Sequence, residues 1–201
     1  MDGERSVSFG VLVIPEDPTY NGHILKPLCE RILEAAGRPR AYIKILTDPK
    51  VAGDSDAKAK ILSEIPETWD HMDLMLFIRD ADGKDRNAEF ARLEENLANR
   101  KKPAKLICCA AVQEVEAWLL AGHIQKLKAN NWSWSAIRSE ISLKEVYFQP
   151  FLDQHGDAMI PGGGRRLLMQ QALANYDGIK QRCPELQTLE DRIREFIASL
   201  S

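Results

Sequence analysis

The chain has 201 residues, 44% of them hydrophobic and 28% charged, with 30 acidic against 27 basic side chains and a formal net charge of −3. The apolar fraction supplies a proper core, and the length suits one α/β domain with a helical addition, or two small domains. So balanced a charge argues against a nucleic-acid binder working by bulk positive charge, but not against a nuclease. Cys29, Cys108, Cys109 and Cys183 form no C-x-x-C pair, and no histidine stands at zinc-finger spacing. Cys108 and Cys109 lie in an apolar run and read as buried thiols of a reducing cytoplasm. No stretch approaches the ~20 apolar residues needed to cross a bilayer. The acidic start and its short apolar run read as a strand, not a signal peptide. A soluble, cytoplasmic protein without a membrane partner is expected.

Four short apolar runs, at 7–14, 41–46, 74–78 and 105–111, suit strands covered on both faces. Helical spacing fills the intervals. The first helix, 21–36, carries Ile24, Leu28, Ile32 and Leu33 on one face, with Gly37 as its stop. The second, 55–65, carries Ala57, Ile61, Leu62 and Ile65 and ends at Pro66. The third, 87–100, carries Phe90, Leu93 and Leu97. The order β-α-β-α-β-α-β predicts an α/β, Rossmann-like, mostly parallel four-stranded sheet flanked by helices. Beyond it, 114–121 reads as a helix with Trp118 in the core, and the chain from 122 onward is mostly helical. Its best segments are 133–141, 165–176 and 188–200, with Gly162, Gly163 and Gly164 as a flexible break. The expected division is an α/β domain over 1–121 and a helical region over 122–201 packed on it. The basic run Arg100, Lys101, Lys102 and Lys105 precedes the fourth strand and reads as a solvated loop.

Open α/β sheets bind ligands outside the carboxyl ends of their strands. Glu16 and Asp17 follow the first strand, Asp80 and Asp82 the third, and Glu114 and Glu116 the fourth. Three strand ends thus deliver acids to one edge. Such a cluster is costly without a cation, because like charges raise one another's pKa. Hard oxygen ligands suit Mg²⁺ or Mn²⁺. An Asp-x-Asp pair on an extended strand end places both carboxylates on one side. The bland alternatives are a turn at Asp80–Asp82–Gly83, a loop acid at Glu16 and a solvated helix face at Glu116.

The segments VLVIPE, with Glu16, and LMLFIRDAD, with Asp80 and Asp82, resemble the two motifs of a Toprim-type domain. The stretch Glu116, Ala117, Trp118, Leu119, Leu120 and the late CPELQTLEDRIREF resemble more closely a bacterial family of small Toprim-like proteins of unknown function. That resemblance covers most of the chain. It implies metal-dependent phosphodiester hydrolysis on nucleic acid, by an effector encoded beside an ABC- or OLD-type ATPase in an anti-phage defence system. It implies Glu16 as general acid/base or ligand, Asp80 and Asp82 as ligands, and Glu116 as a further ligand, with Asp17 and Glu114 as additional candidates. Toprim motifs usually place Gly where Asp17 stands, and Pro15 and Pro18 flank the pair, so the site departs from the pattern.

Arg165 and Arg166 follow the glycine run at a helix start and are candidate phosphate ligands, a hinge with a solvated first turn being the alternative. His23 lies near Glu16 early in the first helix. A non-catalytic binding or regulatory module is the alternative function. A phosphatase of the haloacid-dehalogenase type, with Asp80 as nucleophile, comes third because its motif follows the third strand rather than the first. A homo-oligomer is compatible with all three.

Overall fold

The computed structural model describes residues 9–101 and 104–200. Residues 7 and 8 of the first expected strand, and Lys102 of the basic run, lie outside them. The strands are β1 (Gly10–Ile14), β2 (Tyr42–Ile45), β3 (Leu74–Asp80) and β4 (Leu106–Ala111). All pair in parallel, in the order β2-β1-β3-β4. The helices between them are α1 (Asn21–Ala35), α2 (Asp54–Ile61), the single turn α3 (Ile65–Thr68) and α4 (Asn87–Ala98). The chain is therefore α/β, as expected from the alternation of apolar runs and helical spacing.

Alternation along each strand divides the core. Val11, Val13, Leu76 and Ile78 face one layer, containing Ile24, Leu28, Ile32 and Leu33 of α1. Leu12, Ile14, Met75 and Phe77 face the other, against Ala57 and Ile61 of α2 and Phe90, Leu93 and Leu97 of α4. Period-two side-chain direction requires this. It also sends Asp80 toward the α1 layer and Arg79 toward the α2–α4 layer.

The chain after β4 completes the α1 layer. It forms α5 (Glu116–Ala121), α6 (Ile124–Ala129), α7 (Trp134–Ser139), a five-residue π turn (Lys144–Phe148) and α8 (Gln149–His155). A 3₁₀ turn (Pro161–Gly164) and α9 (Arg165–Ala172) follow, then a second 3₁₀ turn (Leu173–Asn175), α10 (Tyr176–Arg182) and α11 (Pro184–Ser199). Every residue of α5 is buried, the condition of a helix surrounded on all sides. Residues from both halves belong to one continuous core that includes Ile24, Ile78, Trp118, Phe148, Met169 and Leu186. Among the described residues no helix is long and apolar enough to cross a membrane.

Three expectations change. Pro66 does not close the second helix; α2 stops at Ile61, and Pro66 sits in the first turn of α3. A proline's missing N–H costs nothing there. The helix expected over 165–176 is interrupted at Leu173, and α10 begins at Tyr176. The glycine run is no flexible break. Gly162, Gly163 and Gly164 have φ of 75°, 62° and 84°, and a Cβ on Gly162 would lie 2.4 Å from the His23 ring. The turn is seated on α1 and needs glycine for both reasons.

α5 and α9 approach at Gly122, where a Cβ would lie 2.4 Å from Ala172 Cβ and 2.7 Å from its Cα. Gly122→Ala is expected to destabilise by about 1–3 kcal/mol through overpacking. Ala172→Gly is expected to rescue only part of this, because the new methyl still meets the backbone of α9. Thermal melts of the two single variants and the double variant check it; an unchanged midpoint for Gly122→Ala would refute the close approach.

Candidate functional site

β1 leads through α1 to β2 on one side, whereas β3 lies on its other side, so the strand order reverses between β1 and β3. At such a switch point the loops leave the sheet in opposite directions and open a crevice at the carboxyl ends. Glu16 follows the end of β1 and Asp80 ends β3, the two strands that flank this point. The exposed Glu16 accepts a hydrogen bond through Oε2 from Asp80 N–H at 3.3 Å. Asp80 pairs in register with Ala111 of β4, and its Oδ1 accepts from Val115 N–H at 2.8 Å. That bond ties the end of β3 to the turn that starts α5.

Glu116, in the first turn of α5, is 1% exposed. Lys144 Nζ stands 3.7 Å from its Oε1, beyond hydrogen-bond reach, and Oε1 has no hydrogen-bond partner among the described residues. Glu114 Oε2 is likewise buried without one. Burial, and then the charges of Glu116, Glu16 and Glu114, push the Asp80 carboxyl up to about 8, against the pull of the Val115 N–H. Burial and Glu116 push Glu114 up to about 7. Burial also raises Glu116, with Lys144 and Arg165 opposing. Four of the sequence candidates, Glu16, Asp80, Glu114 and Glu116, are thus one electrostatically coupled group.

Asp82 is not part of it in the manner expected. The strand ends at Asp80, and Asp82 and Gly83 take φ of 50° and 71°, closed by a Lys84 N–H to Ala81 carbonyl bond of 2.9 Å. Positive φ at both central residues is the type I′ arrangement. The extended Asp-x-Asp geometry is therefore absent: the half-exposed Asp82 turns toward Arg86, 3.7 Å away. Asp17 closes a turn in the loop before α1, its Oδ1 accepting from Thr19 N–H at 2.8 Å and Tyr20 N–H at 3.3 Å. Arg166 is exposed, while Arg165 is 6% exposed and faces Glu116.

The sequence reading passed over a basic group on the opposite side of β3. Arg79 is 1% exposed, stacked over Phe77 at 4.3 Å. Its Nε lies 3.5 Å from Asp54 Oδ1, and its three guanidinium nitrogens have no hydrogen-bond partner among the described residues. Burial lowers its pKa, opposed by Glu16, Asp54 and Asp80. Asp54, at the start of α2, also receives Arg86 at 3.2 Å and Lys58. Burial pushes Asp54 up, but the Lys58 bond and the charges of Lys58, Arg86 and Arg79 outweigh it and hold the carboxyl below its ordinary range. An arginine inside the apolar string LMLFIRD was the available signal for this group. Lys144 offered none, since only the fold brings it to Glu116.

The donor chemistry fits a hard divalent cation such as Mg²⁺ or Mn²⁺: carboxylate oxygens only, two of them buried without partners, with mutual repulsion that a cation would relieve. The spacing is open. Among the described residues no group of three or more His, Cys, Asp or Glu side chains is placed to hold a metal ion. Shared ligation therefore requires side-chain rotation, for which the exposed Glu16 has the most freedom. Comparison with protein-family models, with curated proteins and with solved structures returned no match. Fold and site define an α/β protein with a cluster of carboxylates at its topological switch point.

Proposed function

We propose that the chain is a cation-dependent phosphodiesterase acting on nucleic acid, with Mg²⁺ or Mn²⁺ held by Asp80 and Glu116 together with Glu16. The observation that carries this reading is the carboxylate cluster at the switch point, where burial raises Asp80, Glu114 and Glu116 and neighbouring acids raise Asp80 and Glu114 further. A bound cation would supply Lewis-acid stabilisation of charge developing on a phosphodiester. The chain's own residues would do the remainder. The Val115 N–H fixes the orientation of Asp80, and the exposed Glu16 would move a proton. Asp82 serves as an outer acid paired with Arg86 rather than as a direct ligand. The Toprim-like resemblance extends the reading to an anti-phage effector working with an ABC- or OLD-type ATPase.

The test is cleavage of labelled double-stranded DNA, single-stranded DNA and tRNA with Mg²⁺ or Mn²⁺. Wild-type cleavage is expected, reduced at least about tenfold by Glu16→Gln and by Asp80→Ala. Full cation-dependent activity in both variants overturns the assignment. A non-catalytic module is the second reading, favoured by the Asp17 side chain being spent on a local turn before α1. Absence of wild-type cleavage with every substrate, alone and with the ATPase, selects it. The haloacid-dehalogenase reading fits less well, because its nucleophilic Asp follows the first strand, whereas Asp80 ends the third.

A further inference from the structure

Beside the carboxylates, between the entry to α1 and the π turn, opens a pocket of about 780 Å³ lined by Asp17, Tyr20, Lys144, Gly162, Gly163 and Arg165, among others. Its size lies within the ordinary range for small-ligand pockets. Arg165 is built into its wall. The guanidinium sits 4.7 Å from the Tyr20 ring centroid and 5.3 Å from that of Phe148. Its Nη1 donates to Gly162 O at 2.9 Å, while the buried Nε has no hydrogen-bond partner among the described residues. Lys144 opens the π turn with its side chain 38% exposed; such turns are frequent at functional sites. Both cations act on Glu116, so pocket and carboxylates share one field.

We infer that this pocket binds a phosphate group of a nucleotide unit, held by Arg165 and Lys144. The inference rests on the phosphodiesterase reading and names the subsite next to its reacting centre. A guanidinium already immobilised between two rings spends little entropy on gripping an anion. Lys144 adds a mobile point charge on the solvent side. Tyr20, 45% exposed, offers an aromatic surface at the rim against which a base can stack. Asp17 and the exposed Asp153 also line the pocket; Oδ1 of Asp17 is occupied by two backbone N–H groups and Oδ1 of Asp153 by Gln149 Nε2. The bland account is that Lys144 and Arg165 only neutralise Glu116. It predicts no anion binding.

The experiment is calorimetric titration of the full chain, in EDTA, with inorganic phosphate and with adenosine 5′-monophosphate. Saturable wild-type binding of both is expected, weakened about tenfold by Lys144→Gln and by Arg165→Lys, which keeps the charge but loses the planar fork. No wild-type binding at millimolar ligand, or unchanged affinity in Lys144→Gln, overturns the inference. Lys144 is partly exposed, so that variant stays folded even if the Arg165 change disturbs packing. A parallel Mn²⁺ thermal shift separates the two readings. A shift retained while anion binding is absent sinks only the subsite. Anion binding that depends on Lys144 without any Mn²⁺ response sinks the cation-dependent reaction and leaves the subsite standing.

Discussion

Replacing Asp80 by Asn is expected to raise the melting temperature of the cation-free protein at about pH 8 by roughly 5 °C or more and, on the proposed cation-dependent reading, to remove any stabilisation by Mn²⁺. Asn retains the oxygen that accepts from Val115 N–H and removes the charge that burial and three acids oppose. The sign follows from linkage. Asp80 is raised to about 8 in the folded state, so the folded chain holds a proton that the unfolded chain releases near pH ~4. The associated stability is complete below that value and is lost as pH rises through about 8. At ~1.4 kcal/mol per unit the loss is on the order of several kcal/mol. Glu114, raised to about 7, adds in the same direction.

Asp54 and Glu190 have the opposite sign. For Glu190, burial pushes up but bonds from Tyr176, Lys180 and Arg194 outweigh it and lower the pKa, as Lys58 and the arginines do for Asp54. Their contribution is present above the ordinary carboxylate range and lost as pH falls below it. Cation-free wild type should therefore be most stable near about pH 5 and weaken toward pH 8, and Asp80→Asn should flatten that decline. Melts across this range check it. A variant melting at or below wild type at the alkaline end would show that Asp80 is not under electrostatic strain.

Trp118→Ala is expected to cost about 3–5 kcal/mol, the range for emptying a large aromatic site. Trp118 is fully buried at the centre of α5, and its Nε1–H donates to Glu185 Oε1 at 2.8 Å. Glu185 is also held by Arg138 Nη2 at 2.5 Å, so the ring joins α5, α7 and α11. Trp118→Phe keeps most of the volume and strands only one acceptor lobe, for a smaller loss of about 1–2 kcal/mol. Denaturant unfolding of both variants measures the difference. Equal losses would mean that the indole hydrogen bond, not the volume, dominates.

The sheet was legible because a strand buried on both faces has little freedom in composition: VLVI, LMLFI and LICC are nearly continuous apolar runs, and helical spacing fills the gaps. The acids at the strand ends were legible for the same reason, since strand direction fixes the edge at which they emerge. Local turn chemistry was not. Asp82 and Gly83 close a type I′ turn that breaks the expected strand alternation, and Pro66 opens a helix it was expected to end. Glu116 did carry a signal against the solvated-face alternative: a helix as apolar as EAWLLA buries its acid with the rest. Arg86, Asp54 and Lys144 depend on approaches between segments distant in the chain, and no spacing encodes those.

The core shared by α1, β3, α5 and the later helices bears on how the molecule comes apart. Without α9, α10 and α11 the apolar surface of α5 and the outer face of α1 would meet water, so a fragment ending at residue 121 is expected to collapse rather than persist as a smaller domain. Glu116, Lys144 and Arg165 depend on that same packing. Heating should then erase the buried-tryptophan fluorescence and helical dichroism together, in one cooperative transition with superimposable curves.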